Sequence, residues 1–317
     1  MTTTGNWIAI EPPAPVDHAE AAAHPRAAGE SRDARPGAAA GPALSFHPVY
    51  NDFYGFQESP FNLTPDPRFL FFSDKHREAF HHVLFGIRER KGFIQLTGEV
   101  GAGKTTVCRA LLSELGEGYR TALILNPMVS GTQLIRSILA ELGLEMPRSD
   151  RTAYLEVLNK FLLEQAEAGR DVVLLIDEAQ DLAPELLEQV RLLSNLETDR
   201  RKLIQIVLIG QPELRDKLNA RSLRQLRQRI TVRYHLKPLD LDETERYVSH
   251  RLVVAGADGR PTFSRGAIRA VHRYARGVPR LINAVCDKTL LYGYVNATYE
   301  LKGRAVRQAI RELEGTA

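Results

Sequence analysis

Eight consecutive residues, Gly98-Glu99-Val100-Gly101-Ala102-Gly103-Lys104-Thr105, carry the spacing GxxxxGK[ST]. Glycines at this spacing let the backbone turn tightly, so that successive N–H groups point inward at the oxygens of a phosphate chain. A helix opening at Lys104 adds the positive end of its dipole to the same spot. In such a cradle Lys104 reaches the β and γ phosphates of a nucleotide, and the Thr105 hydroxyl ligates Mg²⁺. Thr106 offers a second hydroxyl, one position too late for the metal. The run from Gly98 through Thr106 is therefore a candidate nucleotide-holding loop.

A second constellation follows about seventy residues on. Val172-Val173-Leu174-Leu175-Ile176 reads as a buried strand that delivers Asp177 and Glu178 at its carboxyl end, the edge where parallel sheets bind ligands. There Asp177 would hold Mg²⁺ through water, and Glu178 would polarise a water for hydrolysis. The competing reading is an acidic pair that caps the helix after Asp181-Leu182, but Lys104 and Thr105 favour the chemical one. The next apolar run ends in Gly210-Gln211-Pro212, bringing the Gln211 amide to the same edge. Gln211 either orients the water and senses the γ phosphate or serves as a turn residue before Pro212. Asn126, at the end of the second run, either holds Glu178 by hydrogen bond or is a turn residue before Pro127.

Charge is unevenly spread. The whole chain balances 42 Lys and Arg against 39 Asp and Glu, a net +3 that predicts no strong field for nucleic acid or membrane. Between Arg200 and Pro238, however, eleven basic residues face two acids. Arg221, Arg224 and Arg227 recur at helical spacing and lead to Arg229 just before the last apolar run. An arginine finger that completes a neighbour's site, a phosphate-binding surface for nucleic acid and a merely solvated basic face all fit this stretch. No aromatic residues interleave with these arginines, which argues against stacking on a single strand. Further on, Gly277-Val278-Pro279-Arg280 reads as one helix stopping at Gly and the next starting with Pro. A cation at a helix start opposes the dipole, so Arg280 is a candidate for reaching a γ phosphate across a cleft.

These residues need a frame. Short apolar runs at 92, 121, 172, 203 and 231 alternate with helical patterns, which predicts five buried strands in a parallel sheet with helices on both faces, an α/β class. Ser73 is a candidate N-cap for a helix over 73–90, where Phe80, Val83, Leu84 and Ile87 share one face. After Pro238 the strands stop. Helical patterns at 242–255, 264–276, 280–296 and 302–314 predict a small all-helical domain. The expected division is therefore a tail over 1–45, a nucleotide-binding αβα domain over 46–238 and a helical lid over 239–317.

Composition narrows the class further. A chain of 317 residues with 44% hydrophobic and 26% charged residues excludes collagen-like and wholly disordered readings. The Ala- and Pro-rich residues 1–45 hold few large apolar groups and read as a disordered tail. Uninterrupted apolar runs reach about five residues, against the roughly twenty of a membrane span, and the start lacks a secretory signal pattern. Cys108 and Cys286 read as buried free thiols, as in a reducing cytosol.

Taken together, the loop, the acidic strand end, the polar strand end, the pre-strand arginine and the lid arginine resemble the AAA+ branch of P-loop ATPases. More narrowly, FYGFQESPFNLTPDPRFL, GFIQLTGEVGAGKTT, IDEAQDL, VRLLSNLETD, IVLIGQPELRDKL, LRQRITVRYHLKPL and GVPRLIN resemble the ATPase domain of the general secretion pathway protein A (ExeA) family over residues 47–315. The resemblance implies Lys104 and Thr105 as Walker A residues, Asp177 and Glu178 as Walker B, and Gln211 as sensor 1. It further implies Arg229 as the arginine finger, with Arg224 and Arg227 as alternatives, and Arg280 as sensor 2. Asn126 stands where related ATPases carry a glutamate-switch residue.

Members of that family carry a membrane-spanning helix and a peptidoglycan-binding domain after the ATPase, and neither is expected within these 317 residues. The resemblance thus implies a Mg²⁺-dependent ATP hydrolase that forms a homo-oligomer and acts in a secretion or envelope system from the cytoplasm or the inner-membrane surface. Related domains without anchors resemble DNA-directed regulators of transposition, whose partner is duplex DNA. A slow, nucleotide-gated scaffold is the non-enzyme alternative. By position, the aromatics from Tyr50 to Phe61 are candidates for the adenine contact.

Overall fold

The fold is taken from a computed structural model, which describes residues 49–62, 67–125, 127, 130–145, 151–197 and 201–316. The expected tail and Asn126 both lie outside the described residues.

A one-turn helix α1 (Asn51–Tyr54) precedes α2 (Asp74–Arg88), whose start is fixed by the Ser73 hydroxyl accepting the His76 N–H. The chain then alternates: β1 (Phe93–Gly98), α3 (Lys104–Leu115), β2 (Tyr119–Ile124), α4 (Gly131–Glu141), α5 (Arg151–Glu167), β3 (Asp171–Ile176), α6 (Pro184–Leu193), β4 (Ile204–Gly210), α7 (Pro212–Leu218), α8 (Arg224–Arg229) and β5 (Ile230–Leu236). Pro184 and Pro212 open α6 and α7 at a position where a missing N–H costs nothing.

The strands form one parallel sheet in the order β2-β3-β4-β1-β5. Side-chain alternation divides the core. Leu174, Ile176, Ile206 and Leu208 pack with Leu134, Ile138, Leu158 and Leu187 on one face, while Val173, Leu175, Val207 and Ile209 pack with Ala79, Val83, Val107 and Leu111 on the other. This is the expected three-layer α/β architecture. Two details differ from expectation. β2 and β5 are the sheet's edges and are only half-buried, because each has a neighbour on one side. Between β2 and β3 there are two helices, and α5 has no counterpart in the sequence reading.

Beyond the sheet come α9 (Leu241–Val254), β6 (Thr262–Phe263), α10 (Arg265–Ala275), α11 (Pro279–Val295), β7 (Glu300–Leu301) and α12 (Gly303–Leu313). The helices fall where their periodicity puts them. The expectation that strands end at Pro238 needs correction, since β6 and β7 pair in parallel over two residues, too short a ladder to show as a period.

The aromatic segment near residue 50 belongs to this second core. Tyr50, Tyr54, Phe56, Phe61 and Phe69 are buried with Val248, Ile268, Ile282, Leu290 and Val306. The Tyr54 hydroxyl donates to the Leu290 carbonyl at 3.1 Å, and the buried Arg251 guanidinium donates to the Pro60 and Asn62 carbonyls. Four short helices leave one face of their core open, and large rings from the beginning of the unit close it. These aromatics, which the expected division assigns to the nucleotide-binding domain, are thus buried among the helices that follow residue 239.

Candidate active site

The parallel register brings Gly98, Ile124, Ile176 and Gly210 to one edge of the sheet, because Gly98 stands opposite Leu236, Thr97 opposite Gly210, and Ile176 opposite both Ile124 and Leu208. Everything that follows these strand ends converges there. From Gly98 the chain enters the cradle, with Gly101 at φ +75° and Gly103 at φ +95°, the second serving as N-cap of α3. These left-handed conformations suit glycine and turn the amides inward. The Lys104 ammonium is buried and donates to the Gly98 and Glu99 carbonyls at 2.9 and 3.1 Å. Burial lowers its proton affinity, and the nearby Glu178 and Asp177 charges oppose that shift.

Asp177 meets the loop directly. Thr105 Oγ1 donates to Asp177 Oδ2 at 3.2 Å. Asp177 is 5% exposed, and its burial raises its pKa against the opposing hydrogen bonds from the Glu178 N–H and Thr105. Two hard oxygens at this edge fit Mg²⁺, which takes one or two protein oxygens and completes its octahedron with phosphate and water. Among the described residues no group of three or more His, Cys, Asp or Glu offers a competing metal site.

Glu178 adopts φ +50°, an uncommon conformation for a non-glycine residue and one found at functional turns. Its Oε2 accepts from Gln211 Nε2 at 3.2 Å and from Gln180 Nε2 at 2.8 Å. Gln211, the N-cap residue of α7, is therefore a partner of Glu178 at the strand edge. Asn126, for which a hold on Glu178 and a turn before Pro127 both stand open, lies outside the described residues. Gln180 was missed altogether, because a Gln two residues past an acidic pair has no signature of its own.

From the helical side, Arg280 is the second residue of α11, behind Pro279, and its stem packs on the loop. A Cβ built on Gly101 would lie 2.5 Å from the Cβ of Arg280. Its guanidinium makes no hydrogen bond or ion pair among the described residues. Gly101, Lys104, Thr105, Glu178, Arg280 and Asn283 together line a pocket of about 500 Å³. Asn283, another residue that the sequence reading passed over, is held by the Tyr247 hydroxyl at 2.8 Å.

Arg229 is elsewhere. It precedes Ile230, which pairs with Phe93 at the amino edge of the sheet, whereas Gly98 stands opposite Leu236 at the carboxyl edge. Seven residues of strand separate the two by roughly 20 Å. Arg229 Nη1 donates to the Ser194 hydroxyl at 2.7 Å. Arg227 bonds Asn219, while Arg221 and Arg224 are exposed. Of the aromatics put forward for adenine, Tyr50, Tyr54, Phe56 and Phe61 are buried in the helical core and are not among the residues that line this pocket.

Fold and site together define the AAA+ class of P-loop proteins, a class that implies nucleotide binding. Residues 87–218 match the family described as "AAA domain". The chain is 43% identical over 268 residues to general secretion pathway protein A of Aeromonas hydrophila, covering 84% of this chain, and it carries an AAA domain of that protein's kind. It spans about half the length of that relative, 49%. Among solved structures, Cdc6p from Pyrobaculum aerophilum is similar with a TM-score of 0.61 at 20% identity, covering 80% of this chain and 70% of that one. The Drosophila ORC bound to DNA is similar at 0.60 and 18%, covering 91% and 70%. At such identities the likeness concerns the fold. Among the described residues no helix is long and apolar enough to cross a membrane.

Proposed function

We propose that this protein is a Mg²⁺-dependent ATP hydrolase that works between subunits of a homo-oligomer, in a secretion or envelope-assembly system. The observation that carries the reading is the convergence of Lys104, the Thr105–Asp177 pair and a tethered Glu178 at one strand edge. The loop amides and Lys104 would grip the triphosphate. Thr105 and Asp177 would hold Mg²⁺, which when bound neutralises charge on the β and γ oxygens. Glu178 would take a proton from the attacking water, Gln211 would fix the carboxylate that does so, and Arg280 would join the γ phosphate to α11. Arg229, too far from its own cradle, would reach that of the next subunit. The secretion role rests on the likeness to general secretion pathway protein A.

Two measurements test this. E178Q is expected to slow turnover by about 100-fold or more while ATP stays bound, and wild-type turnover in that variant removes the reading. Specific activity should also rise with protein concentration. A rate that is flat, with ATP retained, supports a nucleotide-gated scaffold instead. A rate that climbs on adding duplex DNA and falls steeply with salt transfers the protein to a DNA-directed role.

A further inference from the structure

We propose that Gln180 is a positioning residue for Glu178, closing a three-residue ring that aims the carboxylate at the water. This rests on the reading of Glu178 as the proton acceptor. Gln180 lies in the single 3₁₀ turn Ala179–Asp181 that follows Glu178, and its side chain is used at both ends. Its Oε1 accepts the Gln211 backbone N–H at 3.0 Å, and its Nε2 donates to Glu178 Oε2 at 2.8 Å. Gln211 Nε2 donates to the same carboxylate oxygen at 3.2 Å, completing the ring.

The amide orientation follows from the chemistry. A backbone N–H can only donate, so the Gln180 atom that faces it is the oxygen, and the amide nitrogen must then face the carboxylate. Both amides act on Oε2, which leaves Oε1 without a hydrogen bond among the described residues. That is the oxygen able to receive the proton. The surroundings are shaped for the ring. A Cβ on Gly210 would come within 2.7 Å of Gln180 Oε1, so a glycine at the end of β4 makes room for it. The Gln180 carbonyl accepts from Lys217 Nζ, and the same ammonium holds the Leu182 carbonyl at 2.9 Å, fixing the turn to α7.

The test is a cycle of single-turnover rates. Q180M keeps the side chain's length and loses both hydrogen bonds. It is expected to lower kcat about 10- to 100-fold, with KM for ATP within about twofold of wild type. In an E178Q background the same change should have no further effect, because Gln180 acts through the carboxylate that E178Q has already removed. A merely structural role predicts that the two losses multiply, and that outcome overturns the proposal. So does a Q180M enzyme as fast as wild type beside a slow E178Q. If E178Q itself is fast, the proton-acceptor reading falls and Gln180's role falls with it. Should Q180M fold poorly, G210A provides the second route, since its methyl displaces the Gln180 amide while leaving it in the chain. The same loss, silent in E178Q, is expected, and a G210A rate equal to wild type contradicts the ring.

Discussion

Gly101 shows how closely single residues are tied to the site. Its φ of +75° disfavours any side chain, and a methyl there would press on the Cβ of Arg280. G101A therefore combines backbone strain with loss of the contact to α11, about 1–3 kcal/mol, or roughly a fivefold to hundredfold fall in ATP affinity. Equilibrium nucleotide binding measures it. G315A, also at positive φ but in open space, should leave affinity unchanged. At this scale the site was largely legible. Lys104, Thr105, Asp177 and Glu178 announce themselves because the chemistry demands fixed local spacings. Gln180 does not, since its significance comes from the backbone of Gln211, thirty-one residues away.

Among the elements, α2 joins the cradle to the helical region. His76 is buried, with one ring nitrogen on Ser73 Oγ at 2.7 Å and the other on the Ala102 carbonyl at 3.0 Å. Lys75 beside it pairs with Glu243 and Asp240 on and before α9, at 2.6 and 3.1 Å. Burial holds the His76 pKa below its ordinary 6.5, while the Ala102 carbonyl and Glu243 resist and Lys75 assists that shift. The folded state therefore binds fewer protons than the unfolded one as pH falls through 6.5, and stability drops there by at most about 1.4 kcal/mol per pH unit. Melting temperatures from pH 7.5 to 5.5 should fall more steeply for the wild type than for H76Q. K75M should cost about 1–3 kcal/mol in denaturant unfolding, because it strands the buried Glu243 carboxylate. R246A, which breaks the exposed pair with Asp74, should cost under about 1 kcal/mol. Elements with long apolar runs were readable in advance, whereas α5 was not, since Leu155, Val157, Phe161 and Leu163 stand beside its buried Tyr154, Leu158 and Leu162 and blur the period of a single apolar face.

For the whole molecule the prediction concerns division of labour. If Arg229 serves the next subunit, R229A alone should lose about 10³ in turnover while binding ATP normally. K104A should fail at binding. Mixing the two inactive proteins should restore part of the activity, since some interfaces then unite an intact cradle with an intact arginine. A mixture as inactive as its components would contradict the shared site.

By itself the sequence determined the cradle, the acidic strand end, the alternation that makes a parallel sheet and the helical region after it. Each of these is written in contiguous residues, as a motif spacing or a hydrophobic period. Tertiary structure alone decided which side chains hold Glu178, that the aromatics near residue 50 complete the helical core, and that Arg229 stands at the sheet's far edge. Those outcomes depend on which distant segments pack together, and packing partners leave no local period to read.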